Sequence, residues 1–377
     1  MLAFRLLPFI QALILIFAFV YPLKTLSYKI KIPLAIILTL CSLKIYIFLL
    51  FFNSFMDPNF GRYPTIVINI LYMSAIFLSL FTLLRMMINT LYKLVRLNKK
   101  SFIIPSSSKR YALLSIICAF AIGTTGVLNG FASPKIQNFT IKVDNLKTDK
   151  LTIAHLSDLH ISSPTTKDEL YDLVKRTNDL KADVIVITGD FVDGSVQNLD
   201  YLTKILFKLK AKYGVYGVSG NHEFYSGYKE WVDYFNQGGL KFLENQSVTL
   251  KDDNGNSIVN LVGLIDLAAS RYHHQGYDIN QALEYTDRSV ENIFLVHQPV
   301  VAIDLEPYSI LTLSGHTHGG LVKGFDSLIA KANGGFVNGH YKLGDENIIV
   351  SPGTRIWAGM PFRLGVSATI NYITLKK

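Results

Sequence analysis

Apolar positions fall into two regimes along this chain. Over the first third they come in long runs, at about residues 6–23, 32–52, 64–84 and 111–131. Each run approaches the ~20 residues a helix needs to cross a ~30 Å hydrocarbon core. The run 6–23 lacks a small-residue cleavage site and another run follows at once, so it reads as a retained helix and not a leader. Lys44 interrupts the second run, which predicts a side chain that snorkels or faces the bundle. From residue 150 onward the apolar runs are short and alternate with amphipathic stretches. That pattern predicts strands and helices in turn.

The spacing predicts an edge strand over 136–143. It predicts amphipathic helices over 166–180, capped by Thr165 or Thr166, over 198–212 and over 226–237, the last stopped by Gly238 and Gly239. Strands are expected at 247–250, 257–264, 348–351 and 364–375, with a hairpin turn at 252–256. A β-α half followed by a β-rich half fits two packed sheets with helices outside. The expected division is an all-α transmembrane bundle over 1–132, a linker with the edge strand over 133–149, and an α/β domain over 150–377. Ser101 to Lys109 reads as a flexible part of a loop.

Charge sharpens this division. Of 37 Lys and Arg residues, 14 lie in residues 1–135, against one acid, Asp57. The remainder has 23 basic and 27 acidic residues, so the net +9 comes from the first part. The mildly acidic second part sets nucleic acid aside as a partner, and no protein partner is evident. Within the bundle, Lys24, Lys29 and Lys31 fall in the first loop. Arg85, Lys93, Arg96, Lys99, Lys100, Lys109 and Arg110 fall in the third. The N-terminus has Arg5 and the second loop has Arg62. Positive loops stay inside. The expectation is a multi-pass protein of the cell membrane with its second domain extracytoplasmic and the lipid bilayer as its partner. The bundle offers no intramembrane acid or histidine, so it reads as an anchor and not a transporter. Cys41 and Cys118 lie in apolar runs and read as small apolar fillers.

The chemistry sits at the ends of short runs. Val184 to Ile187 leads into Thr-Gly-Asp190. Leu151 to Leu156 leads into Ser157-Asp158-Leu159-His160, and Val215 to Val218 into Ser219-Gly220-Asn221-His222-Glu223. Ile293 to Val296 leads into His297, and Ile310 to Leu313 into Ser314-Gly315-His316-Thr317-His318. Core packing does not require imidazoles, carboxylates and an amide at five strand ends. Open α/β sheets hold their ligands just past the carboxyl ends of strands. His155, inside a strand, reads as a packed core residue.

The set D-x-H, GD, GNHE, H and GHTH resembles the calcineurin-like metallophosphoesterases, and the surrounding text resembles their membrane-associated bacterial branch. The resemblance covers about 150–375. It implies a four-layer αββα sandwich and two divalent metal ions, such as Mn, Fe or Zn. By that resemblance Asp158, His160, Asp190 and His318 would hold one ion. Asp190, Asn221, His297 and His316 would hold the other, and a hydroxide shared by the two ions would attack phosphorus in line. His222 would stabilise the phosphoryl group or protonate the leaving oxygen, and Asp193 would orient it. Glu223 reads as structural. Arg271, His273, His274 and Arg355 are candidate substrate contacts, and Arg355 and Arg363 flank an apolar loop. Leu321 stands where relatives usually have Gln, and Ser367-Ala368-Thr369 where they often have Pro-Glu. The expected activity is a phosphodiesterase or pyrophosphatase on a lipid or envelope-linked phosphate. The alternatives are a phosphomonoesterase on a soluble substrate and a membrane sensor with an inactive fold.

Overall fold

Long and short apolar runs build separate units. The computed structural model describes residues 2–52, 54, 58–96 and 103–377, and the chain divides into Met1–Asn129 and Gly130–Lys377. Asp57, Lys99, Lys100 and Ser101 lie outside the described residues.

In the first unit the run 6–23 forms a helix, Leu2–Leu13, that continues as a π-helical segment, Ile14–Val20. The run 32–52 is not one helix. It splits into Tyr28–Ser42 and Lys44–Phe52, bent by 68°. Lys44 stands at the break and is buried. Its Nζ donates to Asn69 Oδ1 at 2.7 Å and lies 4.2 Å from the centre of the Tyr72 ring. The cation therefore faces the bundle, where an amide and a ring replace water. The run 64–84 belongs to a longer helix, Arg62–Arg96, of 35 residues. At 1.5 Å per residue it reaches ~52 Å, well beyond the ~30 Å hydrocarbon core. The run 111–131 is the helix Lys109–Gly130. Among the described residues, two helices are long and apolar enough to cross a bilayer, or three if the bent pair is one span; Leu6–Val20 is a shorter apolar helix. Four equal spans were the expectation. The difference lies in the bend beside Lys44 and the shortness of the first helix.

The second unit contains twelve strands: β1 (Lys135–Lys142), β2 (Lys150–Leu156), β3 (Val184–Thr188), β4 (Val215–Val218), β5 (Lys241–Phe242), β6 (Gln246–Lys251), β7 (Ser257–Gly263), β8 (Asn292–Leu295), β9 (Leu311–Ser314), β10 (Gly339–Leu343), β11 (Glu346–Val350) and β12 (Thr369–Lys376). They form two six-stranded sheets, ordered β1-β12-β2-β3-β4-β5 and β10-β11-β9-β8-β7-β6. The strands β2 to β5 run parallel, as do β7, β8, β9 and β11. The edge strand β1 pairs in parallel with β12, which in turn runs antiparallel to β2.

Alternation along β3 shows how the layers stack. Val184 and Val186 pack between the sheets, with Ile293, Leu295, Leu311 and Leu313 of the second sheet. Ile185 and Ile187 point the other way, toward Leu170, Leu173, Leu202 and Trp231 of the outer helices. Both faces are buried, so the strand reads as an unbroken apolar run. Val262, Phe294 and Val296 of the second sheet meet Ala282, Val301 and Leu305 outside it. The result is the four-layer αββα sandwich.

Local chemistry sets the helix ends. The helix Lys167–Asp179 begins with a capping box: Thr166 Oγ1 accepts from Glu169 N, and Thr166 N donates to Glu169 Oε2. The stretch 198–212 is shorter than predicted. It is α-helical over Val196–Thr203 and then tightens to a 3-10 segment, Lys204–Lys208. Asn178 accepts from Lys210 N and donates to Lys208 O, which pins the chain out of the helix there. The stretch 226–237 forms the helix Tyr228–Gln237, and Gly227 (φ +103°) separates it from a short helix, Asn221–Ser226.

Candidate metal centre

Five turns meet at the carboxyl ends of β2, β3 and β4 in one sheet and β8 and β9 in the other. They carry all seven predicted ligands. Asp158, His160, Asp190, His316 and His318 each have a positive φ, between 43° and 70°. A left-handed backbone costs a non-glycine residue about 1–3 kcal/mol, and it persists only where neighbours over-determine it. Here the neighbours are visible. Glu223 Oε2 accepts from Asp190 N at 3.0 Å and Gly220 N at 2.7 Å, and its Oε1 accepts from Phe191 N at 2.7 Å. Asp158 accepts from His316 N with both oxygens at 3.1 Å. Gly189 (φ +82°) also leaves no room for a side chain, because a Cβ there would run into His297 Nδ1 and Gly220 N.

The ligand atoms gather in two groups. In the first, His160 Nε2 and His318 Nε2 are 3.2 Å apart, and His318 Nε2 is 3.5 Å from Asp158 Oδ1. In the second, His297 Nε2 is 3.1 Å from Asp190 Oδ2 and 3.2 Å from both His316 Nδ1 and Asn221 Oδ1. Asp190 Oδ2 is also 3.6 Å from His160 Nε2, so one carboxylate serves both groups. Asp158, His160 and His318 could hold one metal ion, and Asp190, His297 and His316 another.

The electrostatics fit divalent cations. Burial would lower the pKa of His297, but Asp190 and Asp158 raise it well above the ordinary value. A proton is therefore drawn to the point where a cation would be stabilised. Burial, with the charge of His297, lowers His316 to about 3. Burial, with His160 and Arg363, holds His318 well below its ordinary value. These two imidazoles are neutral and keep lone pairs for a metal. His297 Nδ1 faces the Thr188 carbonyl at 2.8 Å, which places a proton there and turns Nε2 toward the centre. Among the described residues, buried His318 Nδ1 finds no hydrogen-bond partner.

His222 and Asp193 stand beside the first group. Asp193 Oδ1 lies 2.6 Å from His222 Nδ1 and 2.9 Å from His160 Nδ1. One oxygen thus orients both rings, a double role that sequence spacing did not suggest. Burial opposes the charging of His222, yet Asp190 and Asp193 raise its pKa to about 9. Burial would raise Asp193, but His160 and His222 bring it down to about 2. Burial also pushes the Tyr225 phenol up, while its hydrogen bond with Asn221 works the other way.

The side chains of the remaining candidates are not among the grouped ligand atoms. Arg355 is paired with Glu169 and Thr165, each at 3.3 Å. Arg363 is fully buried and donates to the carbonyls of Pro352 and Arg355 at 2.7 Å and of His318 at 3.3 Å. It braces the loop behind His318. Arg271 and His273 are exposed, and the exposed His274 ring packs against Phe224 and Tyr228. His155 is buried between Thr188 Oγ1 and the Asn371 amide, as a core residue should be. Sequence reasoning missed Asp266. This buried acid is held by Ala268 N and Gln298 and lies near His297. Its only signal was a carboxylate just past the apolar run of β7.

Comparison with known proteins agrees with this geometry. The family model described as calcineurin-like phosphoesterase matches residues 151–320. A metallophosphoesterase of Campylobacter jejuni is 32% identical over 70% of this chain and 68% of its own length. One from Helicobacter pylori is 35% identical over 66% of each chain. A transmembrane protein with metallophosphoesterase domain from Danio rerio is 30% identical over 73% of this chain and 64% of its own. The chain therefore spans just under two thirds of the length of the last two. It belongs to the calcineurin-like phosphoesterase family, and its second unit is a phosphoester hydrolase domain of that family. The transmembrane relative and the two long apolar helices are the marks of a membrane protein.

Proposed function

We propose that this chain is a membrane-anchored, dinuclear metal-dependent phosphohydrolase. Its bundle over 1–132 holds the domain over 150–377 at the bilayer. Asp158, His160, Asp190 and His318 hold one ion. Asp190, Asn221, His297 and His316 hold the other. The observation that carries the reading is the Asp190 carboxylate, placed within reach of both ligand groups. Two divalent ions, when bound, supply an acidified water and positive charge for the phosphoryl oxygens.

The chain's own residues do the rest. His222 is the general acid and gives its proton from Nε2 to the leaving oxygen. Asp193 accepts at Nδ1, fixes the ring and supports its charged form. The same Asp193 oxygen sets the face of His160, so acid and ligand are positioned together. Burial of the ligands excludes bulk water and strengthens each of these interactions.

The substrate class we favour is a phosphodiester or pyrophosphate on a lipid or envelope-linked group, because an anchor of apolar helices would tether the domain to the bilayer. The purified chain, loaded with Mn, Fe or Zn, is tested against monoesters, diesters and lipid-linked pyrophosphates. Metal-dependent turnover highest on the last two classes is expected. Preference for soluble monoesters would overturn the substrate class, and no turnover at all would overturn the hydrolase.

The second unit lies outside the cytoplasmic membrane. Ten Lys and Arg in two loops, against one in each of the N-terminus and second loop, support this orientation. The bend beside Lys44 leaves it unchanged, since the seven-residue basic cluster before the last span still prefers the inside. Alkaline phosphatase and fluorescent-protein fusions after Lys377 are expected to give an active phosphatase and a dark fluorophore. A bright fluorophore would place the domain inside.

A further inference from the structure

Rings lead outward from His222, each packed on the next. The Tyr225 ring centre lies 5.3 Å from that of His222, and the Tyr272 ring centre 5.8 Å from that of Tyr225. Behind them, Phe224 stacks on Tyr228 at 4.4 Å and 9°. The His274 ring fills the angle, 4.9 Å from Tyr228 and 5.6 Å from Phe224. His273 makes this possible. It takes a left-handed conformation (φ 63°), and His274 N donates to Ala269 O at 3.1 Å. The turn sends His274 into the aromatic stack and Tyr272 to the rim.

The two tyrosines differ from Phe224 behind them in exposure. Phe224 is 6% exposed, whereas Tyr225 and Tyr272 keep 42% and 44%. Two partly exposed aromatic rings thus lead out from the candidate acid, Tyr225 against His222 and Tyr272 against Tyr225. Tyr225 packs its ring against His222. Tyr272 leans on Tyr225 and Phe224. Arg271 next to it is exposed and adds positive charge at the outer end of the wall.

We propose that Tyr225 and Tyr272 form the wall of a leaving-group subsite that takes a group with a flat ring face, such as an aryl group or a nucleoside. This rests on the hydrolase reading with His222 as the acid. In that reaction water's oxygen bonds to phosphorus, the bond from phosphorus to the leaving oxygen breaks, and the His222 proton goes to that oxygen. The departing group therefore sits on the His222 side, where the two phenols are next in line. A ring laid on them gains offset or edge contacts that a glycerol or alkyl group cannot make. Such contacts favour ring-bearing leaving groups without reading any particular hydrogen-bond pattern.

The test uses the full metal-loaded chain and three leaving groups: phenol, uridine through its 5′ oxygen, and glycerol. They are compared as monoesters or methyl diesters, in whichever series the native chain hydrolyses. The measured quantity is the ratio of kcat/KM for each ring-bearing substrate to that for glycerol. A loss of folding acts on numerator and denominator alike and cancels. In Tyr272→Leu the ratio is expected to fall about fivefold to tenfold for at least one ring. Tyr225→Phe, which keeps the ring, should hold the ratio, and Tyr225→Leu should lower it. A fall for uridine alone assigns the wall to nucleosides, and a fall for both rings assigns it to flat rings in general. A native ratio in both Leu variants overturns the subsite while the hydrolase stands. No turnover by the native chain on any of the three sinks both.

Discussion

Asp190→Asn is expected to leave the chain folded, to reduce bound divalent metal from two ions per chain to one or none, and to lower phosphoester hydrolysis more than ~100-fold. Asn is the informative substitution because it keeps the shape. The Asp190 Oδ1 that accepts from His222 N at 2.9 Å has a counterpart in the amide. What disappears is the charge on Oδ2, the atom 3.1 Å from His297 and 3.6 Å from His160. Each ion then loses a carboxylate, whereas replacing any other ligand touches one ion only. Elemental analysis after dialysis reads the metal, and thermal unfolding checks the fold. Two tightly held ions and a native rate in Asp190→Asn would end the shared-ligand assignment.

His222→Ala should retain metal and lose ~10²–10⁴ in rate, the range for removal of a general acid. The loss should shrink for nitrophenyl esters, whose leaving oxygen departs without a proton. Equal losses for good and poor leaving groups would move His222 from proton donor to phosphate stabiliser. The pH profile gives a second reading. Burial works against the charged ring, but Asp190 and Asp193 hold the His222 pKa at about 9. An acid must be protonated to act, so activity falls as pH rises through that value. Asp193→Asn removes one of the charges that raise it. The alkaline limb must then move to lower pH, and the variant must lose more activity at pH 8.5 than at pH 7. A limb that stays in place would show that another group sets it.

The centre was legible because its chemistry follows a local rule. A short apolar run ended within a few residues by Asp, Asn or His marks both a buried strand and the group at its tip, and five such runs in one chain have no packing explanation. The αββα layers were legible for the same reason, through the resemblance those runs carry. What escaped was everything that depends on distant partners. Glu223 reads as structural, but which amides it holds, those of Asp190 and Phe191, only the fold shows. Asp193 was expected to serve one histidine. The fold brings a second, from β2, to the same oxygen. Arg363 read only as one flank of an apolar loop, and the fold makes it a buried brace for four carbonyls. The bend near Lys44 was foreshadowed by a single charge, but the Asn69 that receives that charge is 25 residues away.

The place of β12 bears on how the protein is made. This strand, Thr369–Lys376, lies between β1 and β2 and pairs with both. Until it leaves the ribosome, the first sheet has a gap one strand wide, with β1 on one side and the parallel strands on the other. The gap is lined by Ile153 and Ile141, which stand opposite Ile373 and Leu375 of β12. Contacts spanning more than 200 residues of chain close late and slowly. Translation of this domain therefore ends before its folding does, and a nascent chain delivered across a membrane would travel with its central sheet still open. Termination between β11 and β12 would release a product whose β1 and β2 edges lack their partner, a form prone to aggregate and to be degraded.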